Sequence, residues 1–204
     1  MDGTYIKFTV VEEYINALNV IFEHCYQSQD DVARSYNNAI ENWNDEISDA
    51  ARLILLEIER SVTLICDEIS HSLKVLNRRC QTLSEGYAER SWNAAFIKRE
   101  QQIKLKRESS MEKDTINGTT AEGIRAFERA LDVYIQNTTD TVAEIRREHE
   151  AVHAGWHDSQ YERTTERIYE FTSTILKQLD CLKDLQTWIA ERRRYFEEAM
   201  SIHD

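Results

Sequence analysis

Ala39-Ile40-Glu41-Asn42-Trp43-Asn44-Asp45 and Val152-His153-Ala154-Gly155-Trp156-His157-Asp158 are the two stretches that decide the fold. Each closes an apolar stripe with the same Trp-x-Asp tripeptide. The first stripe runs Val11, Tyr14, Leu18, Ile21, Cys25, Ser28, Val32, Ala39, and the second Ile124, Phe127, Leu131, Tyr134, Thr138, Thr141, Ile145, Val152. Trp156 lies 113 residues after Trp43, and every stripe position recurs at that same offset without a gap. Steps of three and four residues place these side chains along one seam of a helix. A repeat this long reads as two related helical hairpins.

Beyond each Trp the stripe resumes. Ile47, Ala51, Ile54, Ile58, Val62, Ile65, Ile69, Leu73, Leu76, Cys80 and Leu83 form one return helix. Tyr161, Thr164, Ile168, Phe171, Ile175, Leu179, Leu182, Leu185, Ile189 and Phe196 form the other. Each helix has one apolar stripe, so the two arms of a copy are expected to fold antiparallel on each other. The tips fall at Asn42 to Asp45 and Gly155 to Asp158, with the Trp packed across them. Asn44 or Asp45, and Asp158 or Ser159, are the candidate caps of the returning helices. Ser159 with Glu162 forms a candidate capping box, as do Thr9 with Glu12 and Thr119 with Glu122. The first helix should then run from Thr9 to about Asn42, after a short, partly extended lead-in containing Tyr5, Ile6 and Phe8.

The expected fold is all-α: two antiparallel long-helix hairpins in tandem, forming an elongated four-helix-bundle-like or coiled-coil rod. Residues 1–85 make hairpin 1 and residues 119–204 make hairpin 2. Residues 86–118 connect them, with a short helical stripe at Trp92, Ala95, Phe96 and Ile103 and a flexible joint from Glu108 to Gly118.

Composition agrees. Among 204 residues there is no proline and there are only five glycines, and 30% are charged. Long amphipathic helices have this make-up. The formal net charge of −12 argues against nucleic acid and anionic membrane as partners. Basic residues nevertheless cluster at Lys98, Arg99, Lys104, Lys106 and Arg107, and again at Arg192, Arg193 and Arg194. Either cluster reads as a solvated helix face or as a docking patch for an acidic partner. The N-terminus lacks signal-peptide character, and no apolar run approaches the roughly 20 residues of a membrane span. The four cysteines, Cys25, Cys66, Cys80 and Cys181, have no metal-ligand spacing. A reduced, cytoplasmic setting is expected, with a Cys25–Cys66 disulfide across the first hairpin as the alternative.

A pair of forty-residue helices joined at Trp-x-Gly or Trp-x-acid resembles the WXG family of bacterial type VII secretion. The matching residues are Trp43-Asn44-Asp45 and Trp156-His157-Asp158-Ser159-Gln160-Tyr161, and the resemblance covers residues 9–85 and 119–200. It implies two fused hairpins that supply within one chain the bundle that ordinary members build by pairing. It also implies a non-enzymatic adaptor, targeting partner or substrate component. The partner would be another helical protein (a secreted toxin or WXG-like protein) or a second copy, with export lacking a signal peptide as the alternative to a cytoplasmic location. The contacts expected are Trp43, Trp156, Trp92 and the Lys98–Arg107 segment. The chain departs from the family in two ways. Asp replaces Gly in both tips. The family's export signal, Tyr with an acid four residues on, fits only Tyr26 with Asp30, inside the first helix.

His149-Glu150-Ala151-Val152-His153 matches the HExxH pattern of zinc peptidases. On a helix the two histidines lie one turn apart, with Glu150 available as general base and His157 continuing the face. The longer metzincin pattern fails, because it needs Gly at Trp156 and His at Ser159. The chain also offers no strand-rich subdomain to hold a substrate. The expectation is therefore ordinary exposed helix residues and no cofactor. The alternatives are a zinc hydrolase using His149, Glu150 and His153, and a generic coiled-coil scaffold.

Overall fold

The computed structural model describes residues 5–40, 43, 45–83 and 120–201. Among them are four long helices and one two-residue strand pair. Strand β1 spans Tyr5–Ile6, helix α1 Phe8–Ile40 and helix α2 Glu46–Leu83. Helix α3 spans Thr120–Val152, strand β2 Trp156–His157 and helix α4 Ser159–Ser201. The helices contain 33, 38, 33 and 43 residues, so α2 is about 57 Å long at a rise of ~1.5 Å per residue. The chain is an all-α bundle.

Every residue named in the α1 and α3 stripes is buried, as are Trp43 and Trp156. The buried face is wider than the stripe, because Ile15, Phe22 and Tyr26 on α1 and Ile135 and Val142 on α3 are also covered. That width serves two neighbours at once. Helix α1 packs mainly on α3, α2 on α4, and α3 on α4, while α1 meets α2 at few points. The arms of the first copy thus bury their seams chiefly against the second copy rather than against each other, which corrects the expected pairing. Small residues allow the close approach: a Cβ on Gly123 would lie 3.4 Å from the Ala39 Cα. Polar contacts join α1 to α2, from the Tyr26 hydroxyl to the Cys66 Sγ (3.1 Å) and from the Tyr36 hydroxyl to the Ser48 carbonyl (2.9 Å). Cys25 and Cys66 are buried free thiols, so the alternative disulfide is not formed.

Residue pairs fix the directions. Tyr14 of α1 meets His149 near the end of α3, and Tyr36 meets Phe127 near its start. Ser72 of α2 meets Thr164 near the start of α4, and Asp45 meets Arg192 near its end. All neighbouring helices are therefore antiparallel, and α2 runs parallel to α3. The chain leaves α2 at one end of the bundle and enters α3 at the other, and residues 84–119 join those ends. The expected connector helix falls among these residues, outside those described. Midway between the two α1–α3 pairs stand Cys25 and Thr138, which the 113-residue offset maps onto each other. The interface is self-complementary about that point, as in an isologous contact between two subunits. One continuous apolar core runs through all four helices.

Helix starts differ from expectation in two places. Helix α1 begins at Phe8, with the Lys7 carbonyl accepting from the Val10 and Val11 amides (3.1 and 3.3 Å). Thr9 therefore lies inside the first turn and is not its cap. The lead-in is extended: Tyr5 pairs with His157 and Ile6 with Trp156, antiparallel. Thr119 lies outside the described residues.

Candidate functional site

The third residue of each Trp-x-Asp begins the returning helix. Asp45 Oδ1 accepts from the amides of Ile47 (2.9 Å) and Ser48 (3.1 Å), and Ser48 Oγ accepts from the Asp45 amide (3.0 Å). This is a reciprocal capping box. Asp158 Oδ1 likewise accepts from the amides of Gln160 and Tyr161, both at 2.9 Å. Asp158 is the cap, so Ser159 is the first helical residue and the expected Ser159–Glu162 box does not form. Carboxylates suit these positions because opening amides and the positive helix end both favour an anion.

The tryptophans are core residues. Each is 1% exposed, which corrects their expected role as contacts for a partner. Trp43 tilts against Phe127 of α3, with ring centroids 6.1 Å apart, so the first tip locks onto the second copy. Trp156 packs edge-on to Tyr161 at 5.6 Å, and its indole N–H donates to Asp158 Oδ1 (3.1 Å). The Trp43 indole N–H has no acceptor among the described residues, and the Asp45 carboxylate is directed instead to the Arg192 guanidinium, 2.7 Å away. The two tips thus share a cap but differ in how the carboxylate is used.

The HExxH stretch does not form one open face. His149 is 0% exposed, against the expectation of an exposed residue. The Tyr14 hydroxyl lies 2.9 Å from its Nδ1, and Thr165 Oγ1 lies 2.8 Å from its Nε2. Thr165 Oγ1 donates to the Tyr161 carbonyl (2.8 Å), so it accepts from His149. The imidazole therefore carries its proton on Nε2 and accepts from Tyr14 at Nδ1. Burial holds the group down at about 4 from the usual 6.5, with Glu150 opposing and His153 adding to that effect. The Tyr161 ring stacks on His149 at 4.8 Å and also meets His153 at 5.0 Å. It therefore fills the space where a shared ion would sit. His153 Nε2 instead approaches His157 Nδ1 at 2.8 Å, on the surface. Glu150 accepts from the Tyr169 hydroxyl. No group of three His, Cys, Asp or Glu side chains among the described residues is placed to hold a metal. With both His149 nitrogens engaged, these residues do not fit a zinc centre.

The arginine cluster on α4 is largely neutralised inside the bundle. Arg192 pairs with Asp45, and Arg193 pairs with Glu128 (2.6 Å) and Glu197 (3.0 Å). Arg125 also reaches Glu197 (2.6 Å), and these two arginines lower the Glu197 carboxyl. Only Arg194 of the three is exposed. Trp92, Lys98, Arg99, Lys104, Lys106 and Arg107 lie outside the described residues. Tyr26, of the Tyr26–Asp30 pair, is 2% exposed and bound to Cys66.

Two features escaped the sequence reading. One is the buried His149–Tyr14–Thr165 network. The other is a depression of about 380 Å³ between the start of α2 and the end of α4, lined by Ile47, Trp188, Glu191, Arg192 and Tyr195. The signal for the second was available, since Trp188 and Tyr195 are seven residues apart and off the α4 seam. The described residues thus define a helical bundle of two repeated halves with capped, tryptophan-anchored tips, and no helix among them is long and apolar enough to cross a membrane. No family model matches the chain, and neither a curated protein nor a solved structure matches it significantly.

Proposed function

We propose that the chain is a non-enzymatic helical interaction protein, an adaptor, targeting partner or substrate component of a type VII-like secretion system. The observation that carries this reading is the pair of tips. Each buries its Trp and caps the returning helix with its Asp, and the two halves mate antiparallel within one molecule. A single-chain version of a paired-hairpin bundle leaves its outer faces available for a further helical partner. The engaged ring nitrogens of His149 favour interaction over hydrolysis. Cross-linked, tagged protein isolated from its native cells should retain a secretion ATPase or a helical exported protein. Recovery of neither, with the tagged protein folded and expressed at its natural level, would overturn the reading.

A further inference from the structure

We propose that the outer face of α2 and α4 binds a second copy of this chain, Leu53 and Leu56 of each copy seating against Trp188 and Tyr195 of the other. This goes beyond the secretion reading and does not depend on it. Among the described residues, the large apolar side chains left exposed are unevenly spread. Val20 on α1 and Val133 on α3 stand alone, whereas Leu53 (67%), Leu56 (49%), Leu64 (41%), Trp188 (58%) and Tyr195 (64%) share α2 and α4. Those two helices are antiparallel neighbours, and Ile47 at the start of α2 lies in the same depression as Trp188 and Tyr195. Exposed apolar side chains concentrated in this way on two adjacent helices point to an interaction site.

Charge selects the occupant. Helices α1 and α3 together carry 12 acids against five bases, and α2 and α4 carry 14 acids against 12 bases. A basic partner would be drawn to the α1 and α3 side. A chain of net charge −12 meets its own copy with least repulsion through the nearly balanced α2 and α4 side. Area agrees. At ~200 Å² per fully exposed side chain, the four contact residues present roughly 480 Å² per copy, or about 950 Å² across a pair. That is the size of a small, transient interface, so the dimer is expected to be weak and reversible. A two-fold contact pairs the α2 leucines of one copy with the α4 aromatics of the other, and the reverse, so the assembly closes at two.

Sedimentation equilibrium of the 204-residue chain from 1 to 100 µM tests this. The expected result is a rise from the monomer mass toward twice that value. Trp188→Glu and Leu53→Glu should each weaken association at least tenfold, whereas Val133→Glu on α3 leaves it unchanged. All three sites are exposed in the monomer, so helicity and thermal midpoint should be retained, and circular dichroism checks that. A wild-type chain that stays monomeric to 100 µM would overturn the proposal. So would a dimer that survives Trp188→Glu and Leu53→Glu, or one lost equally in Val133→Glu.

Discussion

His149 gives the bundle a pH dependence that can be worked out from its surroundings. The imidazole is wholly buried between α1, α3 and α4, held by Tyr14, Thr165 and the stacked Tyr161 ring. The charged groups that act on it are Glu150 and His153. Desolvation holds it at about 4, below its usual 6.5. Its neutral form fits the site, and in the unfolded chain it takes up a proton as pH falls below 6.5. Between those values the unfolded state binds more protons, so stability rises with pH. The contribution is complete above pH ~6.5 and is lost as pH falls toward ~4. From pH 7 to pH 5 the loss assigned to this one group is about 2 kcal/mol. The measurement is a comparison with His149→Gln, which leaves every other titratable group in place. Urea unfolding of both proteins at pH 7, 6 and 5 gives the numbers. At pH 7 the variant should be less stable by about 1–3 kcal/mol, having lost hydrogen bonds and the stack. By pH 5 the gap should shrink by about 2 kcal/mol or reverse. Parallel loss of stability in both proteins over that range would refute the assignment of a neutral, desolvated His149.

Three further outcomes follow from the packing. Asp158→Ala removes the acceptor of two backbone amides and the Trp156 indole, so it should cost about 2 kcal/mol, toward the upper end for helix caps; its urea midpoint should fall below that of Ser159→Ala, which removes no cap. Gly155→Ala would place a methyl 2.6 Å from the Val10 Cβ, and an overpacked site of this kind costs about 1–3 kcal/mol; hydrogen exchange should show the Lys7 amide, bonded to the Gly155 carbonyl, losing protection first. Gln29 is 4% exposed, and its amide faces the Tyr134 hydroxyl but makes no hydrogen bond of good geometry among the described residues. Gln29→Leu should therefore raise stability by about 1 kcal/mol in a urea melt, and a fall in the midpoint would show that the amide is satisfied.

The sequence was informative about which side chains are buried and silent about what buries them. Heptad spacing identified Val11 through Ala39 and Ile124 through Val152 as one face each, because that periodicity is a property of a single helix. It carries no record of the partner. Helix α1 was expected on α2, its neighbour in the chain, yet its closest packing is on α3. The discriminating signal is Gly123, whose missing side chain lets α3 approach Ala39 of α1. The caps show a similar division. Asp45 and Asp158 follow a Trp and precede an apolar run, so they were legible as helix starts. Thr9 fitted the capping-box letters, but the β1–β2 pair and the Lys7–Gly155 bond start the helix one residue earlier. No local pattern could report contacts made with residues so distant in the chain.

His149 is the most instructive of these. Both stripes skip one step of the seam, between Val32 and Ala39 and between Ile145 and Val152. The residues in those gaps are Tyr36 and His149, equivalent under the 113-residue offset, and both are buried. The approximate two-fold carries Tyr36 onto His149 and Phe127 onto Tyr14. The edge-on Tyr36–Phe127 contact at 5.5 Å thereby becomes the Tyr14–His149 pair at 5.8 Å. The Tyr36 hydroxyl donates to the Ser48 carbonyl, and in the second copy Tyr161, the equivalent of Ser48, donates in the reverse sense to the carbonyl of His149, the equivalent of Tyr36. A polar aromatic ring that can hydrogen-bond from inside the core is thus required at this level in both halves. Tyrosine supplies it in one and neutral histidine in the other. The first histidine of the HExxH match is there to meet a packing demand that the first copy meets without any histidine, and His153 falls four residues on, at the surface beside His157.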